Sequence, residues 1–142
     1  MTEPLQVTHV LETSLYVQDL DRSERFYSEL FGFGRMLRDE RMCALAVPGQ
    51  QVLLLFRIGG SVEASRSPVG TIPPHDGRGT QHLCFAVPAD QIDGWETKLE
   101  SAQIAVESRL AWPQGASSVY VRDPDGHSLE VATPKLWPNY PG

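Results

Sequence analysis

The chain has 142 residues, 41% of them hydrophobic and 21% charged, and 12 Lys and Arg stand against 18 Asp and Glu for a net charge of -6. That length suits one domain, and a chain of this size buries roughly 68–70% of its unfolded surface without help from disulfides or a structural metal. The acidic balance argues against nucleic-acid and anionic-membrane binding, and the longest apolar run, Val52 to Phe56, is far below the ~20 residues that span a bilayer.

Residues 1–10 show neither the basic start nor the apolar stretch of a secretory leader. Two cysteines, Cys43 and Cys84, are too few for a disulfide framework, so a reduced cytoplasmic setting is expected. In chain order, Glu12–Val17 reads as a strand and Asp21 to Phe31 as an amphipathic helix. Phe26, Tyr27, Leu30 and Phe31 lie at helical spacing, and Gly32 is a natural stop. Asp21 followed by Glu24 suggests an N-cap with its capping-box partner. Three strands are expected next, over Arg35–Asp39, Met42–Val47 and Gln51–Phe56.

Arg57–Gln81 is rich in Gly, Pro and Ser and reads as a linker or a long functional loop. The pattern then repeats. His82–Val87 is a strand, and Asp90 to Ala102 is a helix with Asp90 as cap and Ile92, Trp95 and Leu99 on one face. Strands over Ile104–Leu110, Ser118–Arg122 and His127–Ala132 follow, the last two joined by the turn Asp123-Pro124-Asp125-Gly126. The layout is βαβββ twice, with module one at 10–57, a linker at 58–80, module two at 81–133 and a tail at 134–142. Trp137 and Tyr140 in that tail are expected to dock.

Strand side chains alternate between faces. Leu15 and Val17, then Leu83, Phe85, Val119, Val121, Leu129 and Val131, form the faces expected to meet the helices. The opposite faces carry Glu12, His82, Cys84, Ser118, Tyr120, Arg122 and Glu130. Each of these alone also suits a wetted sheet face. Taken together, at matching places in two copies, Glu12, His82 and Glu130 bring two carboxylates and an imidazole to one point if those faces curve toward each other, so a metal site stands as an alternative to the wetted face.

These residues resemble the vicinal oxygen chelate superfamily, which includes glyoxalase I, fosfomycin- and bleomycin-resistance proteins and extradiol dioxygenases. The similarity runs from about His9 to Pro134. It rests on Tyr16-Val-Gln-Asp-Leu-Asp-Arg-Ser-Glu-Arg-Phe-Tyr27 with Leu30-Phe-Gly-Phe33, and on His82-Leu-Cys-Phe-Ala-Val87 with Tyr120-Val-Arg-Asp-Pro-Asp-Gly-His-Ser-Leu-Glu130. The resemblance implies an α+β fold of two βαβββ modules whose curved mixed sheets enclose a metal and ligand cavity. It places Glu12, His82 and Glu130 on metal-ligand positions. Glu12 departs from the His or Gln common at the first of these. Leu54 stands where a fourth ligand occurs in the glyoxalase I pattern, which favours the three-ligand dioxygenase and fosfomycin-resistance types.

One imidazole and two carboxylates suit Mn, Fe, Zn, Ni or Co. The expected function is therefore a divalent-metal-dependent enzyme, a lyase, isomerase, transferase or dioxygenase. The ion acts as a Lewis acid on a small substrate that chelates through vicinal oxygens. Glu130, Tyr120 and Arg122 are the candidate catalytic residues, and Arg122 is also placed to pair with Asp123 or Asp125. His75 is a candidate lid residue or base, and His127 is expected to be structural. The alternative is a metal-free drug- or metabolite-binding protein of the bleomycin-resistance kind. A homodimer is expected, because the family commonly pairs modules across chains.

Overall fold

A computed structural model describes residues 2–142. The chain divides into two compact units, one ending at Arg78 and the other spanning Gly79–Gly142. The first unit contains β1 (Glu12–Val17), α1 (Leu20–Phe31), β2 (Gly34–Arg38), β3 (Met42–Val47) and β4 (Gln51–Arg57). Its sheet runs β1-β4-β3-β2, with β1 and β4 parallel and the other pairs antiparallel. The second unit contains β7 (His82–Ala86), α2 (Ile92–Ser101), β8 (Ser108–Ala111), β9 (Ser117–Arg122) and β10 (Ser128–Ala132). Its order, β7-β10-β9-β8, repeats the first, again with the parallel pair β7 and β10. The expected βαβββ repeat is thus present in both units.

In the first unit α1 packs on β3 and β4. The period of two along the strands buries Leu15, Val17, Leu53 and Leu55, and the helix supplies Leu20, Tyr27 and Leu30. Each large side chain buried this way stabilises by about 1.5–3 kcal/mol. Cys43 is fully buried among them, and burial, with the nearby Glu24 charge, pushes its thiol up to about 11. Gly32 ends α1 in the left-handed region at φ 76°, and its N–H donates to the carbonyl of Ser28. In the second unit Val119, Val121, Leu129 and Val131 are buried. Helix α2 buries only Leu99, and its Trp95 carries Lys98 over the ring at 5.2 Å.

Several local expectations are corrected. The N-cap of α1 is Asp19, whose Oδ1 accepts from the Arg22 N–H at 3.1 Å. The helix starts one residue before Asp21 because Leu20 is drawn into the core. Asp21 and Glu24 instead meet arginines: Asp21 binds Arg38 at 2.8 Å, and Glu24 binds Arg35 at 2.6 Å and Arg38 at 2.7 Å. Asp90 caps nothing, since it lies within a 3-10 turn over Ala89–Gln91, and α2 begins after Gln91 without a side-chain cap. The strand expected over 104–110 starts four residues later and ends one later, at Ser108–Ala111. Ahead of it, Ile104 is tied back to α2 by its N–H to the Leu99 carbonyl.

The segment read as a linker belongs to the first unit as far as Arg78 and carries a short hairpin, β5 (Ser65–Ser67) and β6 (Gly70–Ile72). Trp137 and Tyr140 do not dock: they are 66% and 41% exposed, and their backbone closes a local turn instead. Among the described residues no helix is long and apolar enough to cross a membrane.

Candidate functional site

In the second unit the parallel register sets His82 beside Ser128 and Cys84 beside Glu130. His82 and Glu130 therefore share a face, with His82 Nε2 3.4 Å from Glu130 Oε1. His82 is exposed, whereas Glu130 is only 4% exposed. The carbonyl of Ser128 lies 2.9 Å from His82 Nδ1. A carbonyl only accepts, so Nδ1 carries the hydrogen and, in the neutral ring, Nε2 presents a lone pair. Nε2 and the carboxylate oxygen are thus close neighbours on one face of the sheet. A cation, whether a proton or a metal ion, is what such a pair takes up.

The other carboxylate oxygen is fixed from behind. Ser118 Oγ donates to Glu130 Oε2 at 2.5 Å, and Trp112 Nε1 donates to Ser118 Oγ at 2.9 Å. This relay holds Oε1 toward His82 and satisfies the buried oxygen, as ligand carboxylates and imidazoles usually require. The donor set fits a divalent ion. Oxygen and imidazole nitrogen suit the metals expected from the sequence, and both atoms already have their outer hydrogen-bond partners. The sequence alone marks Ser118 as sharing the face, but not Trp112. The indole reaches the site because the turn after β8 folds back through the Trp112 N–H to the Ala116 carbonyl.

Tyr120 stands opposite Glu130 in the β9–β10 register. Its ring stacks near His82, with centroids 6.2 Å apart and planes at 21°. Burial and the Glu130 charge raise its pKa, so the phenol keeps its proton at neutral pH. Cys84 keeps exposed surface as a residue, yet its thiol is desolvated by its neighbours. That desolvation, with the Glu130 charge added, pushes it up to about 12. It stays a thiol.

Arg122 does not pair with Asp123 or Asp125. Its Nε donates to Glu107 at 2.7 Å and a second nitrogen donates to the Gly126 carbonyl at 3.0 Å. The guanidinium thereby ties β9 to the turn that leads into β10. In that turn Asp123 Oδ1 accepts from the N–H groups of Asp125 and His127, both at 2.9 Å. His127 is 1% exposed and its Nδ1 accepts from the Gln81 N–H at 2.9 Å, the structural part expected of it.

Glu12 lies in the first unit, exposed at the start of β1. It borders a cavity of about 820 Å³ with Tyr16, Val52, Leu54 and Phe56. Pairing of Ser14 with Leu54 in one sheet and of Cys84 with Glu130 in the other sets Leu54 where Glu130 stands in the second copy. Among the described residues, no three His, Cys, Asp or Glu side chains of one unit gather as a metal-holding group. His82 and Glu130 are the pair that one unit does bring together.

Comparison with known proteins places this geometry in context. The family described as the Glyoxalase/Bleomycin resistance protein/Dioxygenase superfamily matches residues 6–131. The chain is 27% identical over 135 residues to a catechol-2,3-dioxygenase of Bacillus subtilis, covering 92% of this chain but only 43% of that protein. It is 29% identical over 123 residues to the metallothiol transferase FosB of Shouchella clausii, covering 84% of this chain and 76% of the relative. Among solved structures, a lactoylglutathione lyase from Agrobacterium tumefaciens is similar at a TM-score of 0.85 and 38% identity, covering 93% of this chain and 98% of that one.

Proposed function

Because the chain belongs to the glyoxalase/bleomycin resistance protein/dioxygenase superfamily, we propose that it is a divalent-metal-dependent enzyme acting on a small molecule that chelates through two adjacent oxygens. The observation that carries this reading is the approach of His82 Nε2 to Glu130 Oε1 at 3.4 Å, with the imidazole's other nitrogen and the carboxylate's other oxygen each held in its own hydrogen bond. In this reading His82 and Glu130 hold the ion and Glu12 completes the set. An ion there supplies Lewis acidity, stabilising negative charge on the oxygens of its ligand.

The chain's own residues do the rest. Ser118 and Trp112 keep the Glu130 carboxylate from turning. Tyr120, protonated at neutral pH, donates a hydrogen bond or a proton to substrate oxygen beside His82. Arg122, held by Glu107 and the Gly126 carbonyl, positions the β9–β10 end of the site. The names of the relatives span a dioxygenase, a thiol transferase and a lyase, so the proposal is the shared metal chemistry and not one of those reactions. A cytoplasmic homodimer completes the reading.

The apolar cavity beside Glu12 favours a second reading, a metal-free binding protein that encloses a drug or metabolite. One experiment separates the two. Protein purified without chelator is analysed for metal, together with Glu130→Gln, which keeps an acceptor for Ser118 and so keeps the fold. The enzyme reading expects near-stoichiometric ion in the native chain. In the variant it expects affinity weakened by at least about 10–100-fold, since loss of an outer partner alone costs that much. If both proteins are metal-free, melt alike and bind ligand alike, the binding reading stands instead.

A further inference from the structure

Residues 58–78 do not hang free from the first unit; they are fastened at their base, where both ends of the segment meet β1 and β4. At the base, the Gly59 N–H donates to Asp76 Oδ1 at 3.0 Å, closing a loop of 18 residues between them and including both. Beside that closure, the His75 N–H donates to the Ser61 carbonyl at 2.9 Å. His75 Nδ1 lies 2.8 Å from the Tyr16 hydroxyl, and its ring meets the Phe56 ring edge-on with centroids 4.4 Å apart. Phe56 in turn stacks on Tyr16 at 5.8 Å. Gly77 lies flat on the Tyr16 ring, so close that a Cβ there would stand 2.3 Å from Tyr16 Cδ2. Only glycine allows that approach.

What lies beneath is the polar-face side of β1, β3 and β4, and here it is apolar. Leu54, Phe56, Val52 and Met42 form the floor, while Ile72 and Pro73 come from the loop itself. The charged groups on the lining are Glu12, Asp39 and Glu63 against the single guanidinium of Arg41. Such a surface rewards burial of carbon and repels an anion. A cavity of about 820 Å³ falls within the range of small-molecule sites, roughly 300–1,000 Å³.

We propose that residues 58–78 form a roof seated by Tyr16, His75 and Gly77, and that this roof makes the cavity of the first unit selective for an apolar molecule that carries no negative charge. Tyr16 and Gly77 are then specificity-determining residues, acting by holding the roof. The proposal deepens the enzyme reading, because Glu12 borders the same cavity, but its test contains no metal.

The test uses the full chain in EDTA with N-phenyl-1-naphthylamine, an uncharged fluorescent probe. Its comparator, 8-anilino-1-naphthalenesulfonate, adds one negative charge to the same rings. The naphthylamine is expected to bind saturably at one site and to slow amide exchange across residues 61–78, with the sulfonate at least about 10-fold weaker. Tyr16→Phe keeps the ring and removes the hydroxyl, and it should weaken the naphthylamine about 5-fold, the worth of one neutral hydrogen bond. It should also speed exchange across the same residues. Gly77→Ala should do the same by lifting the roof, and Tyr16→Phe carries the test alone if that variant fails to fold.

Absence of saturable binding would overturn the proposal. Sulfonate binding as tight as the naphthylamine, or protection confined to residues outside 61–78, would also overturn it. Failure of the metal reading is visible separately, because a chain that never takes up metal can still bind the naphthylamine in EDTA.

Discussion

The two sheets have the same strand order and the same parallel pair, yet their outer faces differ in kind. In the second sheet Glu130 pairs with Tyr120, and Ser118 lies across from Ala132. In the first, the matching register pairs Leu54 with Ala44 and Phe56 with Met42. Carboxylate, phenol and hydroxyl in one copy are leucine, alanine and methionine in the other. The helix-facing sides, by contrast, are filled alike with Leu and Val. Topology is therefore carried by one face of each sheet, and the opposite face is left to diverge, into a polar cluster in one unit and an apolar cavity in the other.

The largest expected effects test the part the sheets share. Leu55→Ala and Leu129→Ala each remove a buried leucine from the helix-facing side and should each cost about 2–5 kcal/mol. Calorimetry of the two variants asks whether a cavity in either sheet lowers one common transition. Two separated transitions would mean that the copies fold as independent bodies.

The next tests the part that differs. Glu130→Leu gives the second sheet the residue of the first. It should weaken metal binding at least about 100-fold, beyond the usual loss for an outer partner, with isothermal titration as the measure. Unchanged affinity would remove Glu130 from the ligand set. Ser118→Ala leaves the carboxylate in place and takes away its fixed partner, at about 1.5 kcal/mol of stability. Chemical denaturation of the metal-free chain should register that loss.

The smallest effect is a pH dependence belonging to the first unit. Hydrogen bonds from Arg35 and Arg38 hold the Glu24 carboxyl below its ordinary 4.5. A carboxyl whose pKa is depressed by folding contributes stability that is present above the unfolded pKa and lost as pH falls through the folded one. Glu24→Gln should therefore flatten the stability profile below about pH 4.5 and leave it unchanged in shape near neutrality. A profile as steep as that of the native chain would show that the Arg cluster does not act through Glu24.

Much of this architecture was legible in the residues. Alternation along Glu12–Val17 and Ser128–Ala132 separates the two faces before any coordinates, and the turn at Asp123–Gly126 fixes where Glu130 must fall. The internal alignment of Leu54 with Glu130 is reproduced by strand register. What could not be read depends on distant closure. Asp19 and Asp21 both have cap chemistry, and the choice between them is made by burial of Leu20. Arg122 has acids beside it in sequence, but strand pairing delivers Glu107 instead. The seating of residues 58–78 is set by Gly59 meeting Asp76 and by Gly77 meeting Tyr16, contacts whose partners carry no local pattern. The convergence of Glu12 with His82 and Glu130 is part of the proposal and rests on family resemblance and the chemistry of the residues.

The two cysteines have a consequence for handling and for chemistry. With thiols pushed up to about 11 and about 12, the fraction ionised at pH 8 is on the order of one in a thousand or less. Peroxides, disulfides and soft cations attack the thiolate and not the thiol. The chain should therefore tolerate air without a reductant and stay free of mixed disulfides.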